Sequence, residues 1–124
     1  MIKILLVEDN SVNRLLISHM LKRKSWEITE ALNGVEACEL VSSSDFDIII
    51  MDLQMPEMDG FEAAQKIREI ESRLNKRIPI IILTAFANEF NEKFKTSGLT
   101  DAYLTKPVNQ DVLYNLIYNL TGKR

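Results

Sequence analysis

Apolar, β-branched runs alternate strictly with stretches of helical periodicity, and this alternation predicts an α/β fold. The expected architecture is a single doubly wound, five-stranded parallel sheet with five helices on its two faces. Two of the runs are apolar almost throughout, as strands covered on both faces must be. Right-handed crossovers then favour the strand order 2-1-3-4-5.

The first run, residues 2–7 (IKILLV), stops at Glu8 and Asp9. A helix over 11–23 follows, with Asn10 as its cap and Val12, Leu15, Leu16 and Met20 expected on its buried side. Run 26–30 (WEITE) sets Trp26 and Ile28 against Glu27, Thr29 and Glu30, which suits an edge strand. The helix over 34–42, capped by Asn33, carries Val35, Cys38 and Val41. Runs 46–51 (FDIIIM) and 79–83 (PIIIL) belong in the centre of the sheet. Between them a helix over 60–73 carries Phe61, Ala64, Ile67 and Arg68, with Ile70 and Leu74 following. Asp59 and Glu62, three residues apart, form a capping pair at its start. A helix over 87–96 with Phe90 and Phe94, a strand over 101–105 (DAYLT) and a helix over 108–121 complete the pattern. The last helix carries Val112, Leu113, Leu116, Ile117 and Leu120.

The 124 residues match the size of one domain, spanning 1–124, and 46% apolar with 27% charged residues is ordinary for a globular chain. A net charge of −3, from 15 basic and 18 acidic residues without long blocks of one sign, argues against direct nucleic-acid contact. Run 2–7 is too short for a signal or membrane segment. A cytoplasmic location without membrane insertion is expected. The lone Cys38 excludes an internal disulfide and any cysteine cluster for metal, and reads as a small buried hydrophobe. His19, alone on its helix, reads as a surface or packing residue. Tyr114 and Tyr118, one turn apart, are either partly covered side chains or anchors for a partner.

All strands of a parallel sheet point one way, so the residues just past them meet at one rim, where the strand order reverses and ligands bind. Those residues are Glu8 and Asp9, Asp52, Thr84 and Lys106. Singly, each has an ordinary structural explanation as a cap, turn residue or surface group. Together they are three carboxylates, a hydroxyl and an ammonium at four strand ends. Packed carboxylates repel unless a cation compensates, and hard oxygen ligands without His or Cys suit Mg²⁺. A backbone carbonyl just after Asp52, such as that of Gln54, would extend the ligand set. Mg²⁺ beside a lysine and a hydroxyl is the equipment of phosphoryl transfer, with Asp52 as the carboxylate nucleophile.

The pieces ILLVEDN, DIIIMDLQMPEMDG, PIIILTA and DAYLTKP, in this order and spacing, resemble the receiver domain of two-component response regulators, a flavodoxin-like fold. The resemblance covers essentially the whole chain. EDNSVNR and MDLQMPEMDG resemble most the receivers of hybrid histidine kinases. The resemblance implies that Asp52 takes a phosphoryl group from a phosphohistidine on a histidine kinase or histidine phosphotransfer protein. It implies Mg²⁺, with Mn²⁺ as a substitute, on Glu8, Asp9, Asp52 and the Gln54 carbonyl. Thr84 and Lys106 would contact the phosphoryl oxygens, and Lys106 would pair with Asp52 beforehand. On phosphorylation Thr84 would draw in and Tyr103 rotate, reshaping the surface of the helix over 87–96, the strand over 101–105 and the last helix for a downstream protein target. A cis Lys106–Pro107 bond and docking on the first helix are also implied. In this family the positions of Gln54 and Phe86 flank the path of the hydrolytic water, which implies that they set the phosphoryl lifetime, although Phe86 also fits a core-packing stripe with Phe90 and Phe94 at helical spacing. Self-catalysed phosphotransfer and hydrolysis, rather than turnover of a substrate, is the expected activity.

Three other functions fit less well. A Mg²⁺-dependent phosphatase of similar make-up would place its nucleophile in a DxD motif after the first strand, where VEDN stands. An interaction module that had abandoned the site would have lost an acid, the Thr or the Lys. Nucleotide binding lacks both G-x-G-x-x-G and a P-loop.

Overall fold

The computed structural model describes residues 1–85 and 97–123. Five parallel strands, β1 (Lys3–Val7), β2 (Glu27–Ala31), β3 (Ile48–Asp52), β4 (Ile80–Thr84) and β5 (Ala102–Thr105), form one sheet in the order β2-β1-β3-β4-β5. Four helices lie among the described residues: α1 (Ser11–Lys22), α2 (Gly34–Ser43), α3 (Gly60–Leu74) and α4 (Gln110–Thr121). The fifth expected helix, over 87–96, lies outside the described residues together with Phe86, Phe90 and Phe94. No helix among the described residues is long and apolar enough to cross a membrane.

The alternation of side chains along each strand divides the core into two layers. Leu5, Val7, Ile49, Met51, Ile80 and Ile82 meet Ala37, Val41, Ala63, Ala64 and Ile67 of α2 and α3 on one face. Ile4, Leu6, Ile48, Ile50, Ile81 and Leu83 meet Ile17, Leu21, Leu113 and Ile117 of α1 and α4 on the other. Both faces of β3 and β4 are covered, which is why these runs carry almost no polar residues. Asn10, Asn33 and Asp59 cap their helices through side-chain oxygens, as their positions predict, and Asn109 does the same for α4.

The first helix turns a different side inward from the one expected. Ile17 and Leu21 are buried, whereas Val12, Leu15 and Leu16 are 64%, 62% and 57% exposed. Apolar residues surround this helix on more than one side, so periodicity does not single out the core face. Val35 and Val112 likewise face outward. Arg68, grouped by spacing with the apolar side of α3, is instead an ionic hub: it pairs with Glu71 and Asp101 and donates to the carbonyls of Leu99 and Ile78. Tyr114 and Tyr118 resolve in favour of packing. Both stand edge-on to Trp26 with Lys24 over their rings, and the Tyr114 hydroxyl donates to the Met20 carbonyl. His19 is exposed on α1, and Cys38 is half-buried against the α2–α3 core layer. Burial pushes the Cys38 thiol up from its ordinary value, as for an inert packing residue.

Candidate functional site at the carboxyl rim of the sheet

Asp52 is the last residue of β3, paired with Leu83 of β4, and is 4% exposed. The loop that follows fixes it from behind. Leu53 and Met55 turn into the core while Gln54 and Pro56 face out. The Leu53 N–H continues the ladder to the Leu83 carbonyl, and the Gly60 N–H returns to the Leu53 carbonyl, both at 2.8 Å. A side chain on Gly60 would put its Cβ 2.7 Å from the Asp52 carbonyl oxygen and 3.0 Å from the Leu53 Cα. Only a glycine lets α3 begin this close to the end of β3. The loop also holds Glu57 at φ 70°, in the left-handed region.

Four of the residues expected at the rim meet through their charged groups. Lys106 Nζ lies 3.1 Å from Asp52 Oδ1 and 3.2 Å from Glu8 Oε1. Carboxylate oxygens of Glu8, Asp9 and Asp52 all lie within 4.8 Å of one another. Glu8 and Asp52 are buried and Asp9 is exposed, so the cluster opens to solvent on the Asp9 side. Thr84, fully buried, is the last residue of β4, one position beyond the partner of Asp52, and its carbonyl accepts the Lys106 N–H at 2.8 Å. The Lys106–Pro107 bond is cis. Gln54 is exposed beside Asp52, and Tyr103, 38% exposed, sits on β5 at the far edge of the sheet. Phe86 is among the residues not described.

The electrostatics show a cluster with more negative charge than one ammonium balances. Burial pushes the Glu8 carboxyl up to about 7, and the Asp52 carboxylate beside it adds to the rise against the pull of Lys106. Burial pulls the Lys106 ammonium down, but Asp52 and then Glu8 more than offset this, and the ammonium is held above its ordinary value. Three hard carboxylate oxygens within 4.8 Å of one another, without His or Cys among them and with Asp9 open to solvent, are the donor set that suits a small divalent cation. The residues fit Mg²⁺.

Arg14 was not visible to the sequence reading. Its guanidinium Nη1 donates to the carbonyl oxygens of Glu8 at 2.9 Å and Asp9 at 3.4 Å, and its Nε lies 3.5 Å from Glu30 on β2. A basic residue one helical turn after the Asn10 cap was the available signal.

A parallel sheet with an acidic trio and a lysine at its switch point defines a doubly wound α/β domain with a charged crevice at the carboxyl ends of its strands. The comparisons make the class specific: the response regulator receiver domain family matches residues 4–118, and the chain belongs to it as a receiver domain of two-component phosphorelay signalling. The chain is 42% identical over 121 residues to hybrid signal transduction histidine kinase I of Dictyostelium discoideum, covering 93% of this chain but 7% of that protein's length. Among solved structures it is similar to the receiver domain of sensor histidine kinase PA1611 from Pseudomonas aeruginosa, which has a magnesium ion coordinated in its active-site cleft. That likeness has a TM-score of 0.85 at 32% identity over 98% of both chains. It is equally similar to the receiver domain of Ssk1 from Saccharomyces cerevisiae, solved with the histidine phosphotransfer protein Ypd1. Here the TM-score is 0.86 at 32% identity, over 98% of this chain and 89% of that one.

Proposed function

We propose that residues 1–124 act as one phosphorylation-controlled switch in which Asp52 is the phosphoacceptor. A carboxylate oxygen of Asp52 attacks the phosphorus of a phosphohistidine on a histidine kinase or phosphotransfer protein. The P–N bond breaks, the imidazole leaves with a proton, and an acyl phosphate remains. Attack by water on that phosphorus later breaks the new P–O bond, releases inorganic phosphate and regenerates the carboxylate, so the protein catalyses its own resetting rather than turnover. The observation that carries this reading is Lys106 Nζ within 3.2 Å of both the Asp52 and Glu8 carboxylates at the sheet's switch point.

Glu8, Asp9, Asp52 and the Gln54 carbonyl would hold Mg²⁺, or Mn²⁺ in its place. When bound, the metal supplies charge neutralisation for the transferring phosphoryl oxygens. Lys106 shifts from its ion pair with Asp52 to a phosphoryl oxygen, and Thr84 contacts another through its hydroxyl. The new dianion at a buried strand end biases Thr84 and Tyr103 toward a second arrangement, which a downstream protein reads on β5 and α4. Gln54 and, outside the described residues, Phe86 would set the phosphoryl lifetime, as their positions in the family's pattern imply. The donor docks on α1, whose Val12, Leu15 and Leu16 present an exposed apolar face beside the rim.

The test is intact mass after incubation with acetyl phosphate, with and without Mg²⁺, on wild type and Asp52→Asn. A Mg²⁺-dependent, alkali-labile gain of one phosphoryl group that the mutant lacks is expected. An equal gain in Asp52→Asn would place the acceptor elsewhere and refute the assignment.

A further inference from the structure

We infer that Arg14 is a positioning residue for the acidic pair, holding the β1–α1 turn so that Glu8 and Asp9 are presented together to a divalent cation. The inference rests on the reading of Glu8 and Asp9 as Mg²⁺ ligands. The turn between Val7 and Ser11 has few anchors of its own. The Glu8 N–H is tied to the Ala31 carbonyl on β2 at 3.1 Å, and the Asn10 N–H reaches Glu8 Oε2 at 3.3 Å. The carbonyls of Glu8 and Asp9 are both taken by one nitrogen, Arg14 Nη1. The helix fixes Arg14 itself, because its N–H closes the first turn of α1 on the Asn10 carbonyl at 2.9 Å. Glu30 steadies the guanidinium from β2, with Nε 3.5 Å away and the Arg14 side chain only 19% exposed. One planar group therefore ties together the end of β1, the start of α1 and the end of β2.

The geometry separates this role from a simple charge effect. By Coulomb's law alone a cation beside a metal site weakens binding of another cation. Removing Arg14 would then tighten Mg²⁺ binding. If Arg14 acts by holding the two carbonyls, removing it weakens binding, because the carboxylates lose their common orientation. Lysine keeps the charge on a single nitrogen but lacks the Nε that Glu30 faces, so nothing holds that nitrogen over the two carbonyls. The two explanations therefore predict opposite signs for Arg14→Ala and different outcomes for Arg14→Lys.

The experiment is a calorimetric Mg²⁺ titration of wild type, Asp52→Asn, Arg14→Ala, Arg14→Lys and Glu30→Gln, at a temperature where circular dichroism shows every variant fully folded. Amide spectra are recorded on the metal-free proteins. Groups that hold metal ligands from behind typically change affinity 10- to 100-fold, so Kd is expected to rise about tenfold in both Arg14 variants. Glu30→Gln leaves Nη1 on its carbonyls and removes only a partly exposed pair, so it should stay within about twofold. The amide signals of Glu8, Asp9 and Asn10 should move in Arg14→Ala while those of β4 hold. Unchanged or tighter binding in Arg14→Ala, with Arg14→Lys like wild type, overturns the inference and leaves the Mg²⁺ reading intact. Absence of Asp52-dependent Mg²⁺ binding in wild type overturns both.

Discussion

Lys106 and Glu8 stand 98 positions apart in sequence, yet Lys106 Nζ lies 3.2 Å from Glu8 Oε1. The same ammonium reaches Asp52 at 3.1 Å, so one partly buried cation is shared by two buried carboxylates. Removing it leaves both acids without their common partner. Lys106→Met is expected to cost about 3 kcal/mol of folding stability in chelator at alkaline pH, within the range for breaking a buried ion pair from one side. The loss should shrink in acid, where Glu8 takes up a proton, and shrink again on adding Mg²⁺. Urea denaturation of the two proteins checks this, and equal losses under all conditions would count against it.

Glu8 gives the pH dependence its sign. Its carboxyl titrates at about 7 in the fold against an ordinary 4.5, so the folded state holds a proton that the unfolded chain has already released. Its contribution to stability is therefore full below 4.5 and is shed as pH rises through about 7. A divalent cation needs the deprotonated form, so Mg²⁺ affinity should climb with pH up to about 7 and level off above it. Calorimetry in buffers of different ionisation enthalpy should detect a proton released per Mg²⁺ bound below that pH. A Kd independent of pH through this window would contradict the assignment.

Two glycines predict opposite tolerances. A Cβ on Gly60 meets the backbone of Asp52 and Leu53, which cannot yield without shifting the end of β3. Gly60→Ala should therefore destabilise by about 1–3 kcal/mol, as overpacking does, and slow phosphoryl uptake from acetyl phosphate. A Cβ on Gly34 meets chiefly the Met58 side chain, with Sδ 2.7 Å away, and a flexible thioether can move aside. Gly34→Ala should leave uptake unchanged. Thermal melts with mass-spectrometric time courses compare the two.

Ser18 on α1 is 2% exposed, and its hydroxyl has no hydrogen-bond partner among the described residues. Removing an unsatisfied buried hydroxyl and gaining a better helix former should stabilise Ser18→Ala by about 1 kcal/mol. A drop in the urea midpoint would show that the hydroxyl is satisfied in solution.

The strands and the rim were legible because both follow from constraints that act on side chains. Ile48, Ile49, Ile50 and Met51 read as a central strand since both faces of β3 are covered, and Asp52 stood out as the charge ending it. Glu8, Asp9, Thr84 and Lys106 followed from topology, because parallel strands bring their ends to one edge. What escaped the sequence was bonded through the backbone or lay on a helix with a choice of faces. Arg14 grips two carbonyl oxygens, and carbonyls are common to every residue, so no pattern announces the contact. Glu71 looks like a surface acid of α3 but is buried between Arg68 and the Ile78 N–H. Ile17 and Leu21 cannot be told from Val12, Leu15 and Leu16 by pattern, because α1 is apolar on more than one side.

Trp26, the only tryptophan, stands just before β2, at the opposite end of the sheet from Asp52, wedged edge-on between Tyr114 and Tyr118. Its emission therefore monitors whether α4 is seated against β2, with Lys24 and two phenols as its immediate surroundings. Quenching or a spectral shift will mark loss of the fold. Mg²⁺ binding at the acidic cluster, a full strand length away and without the rearrangement of β5 and α4 proposed for phosphorylation, should leave the emission unchanged, so an optical assay of metal loading needs an indole introduced at the other rim.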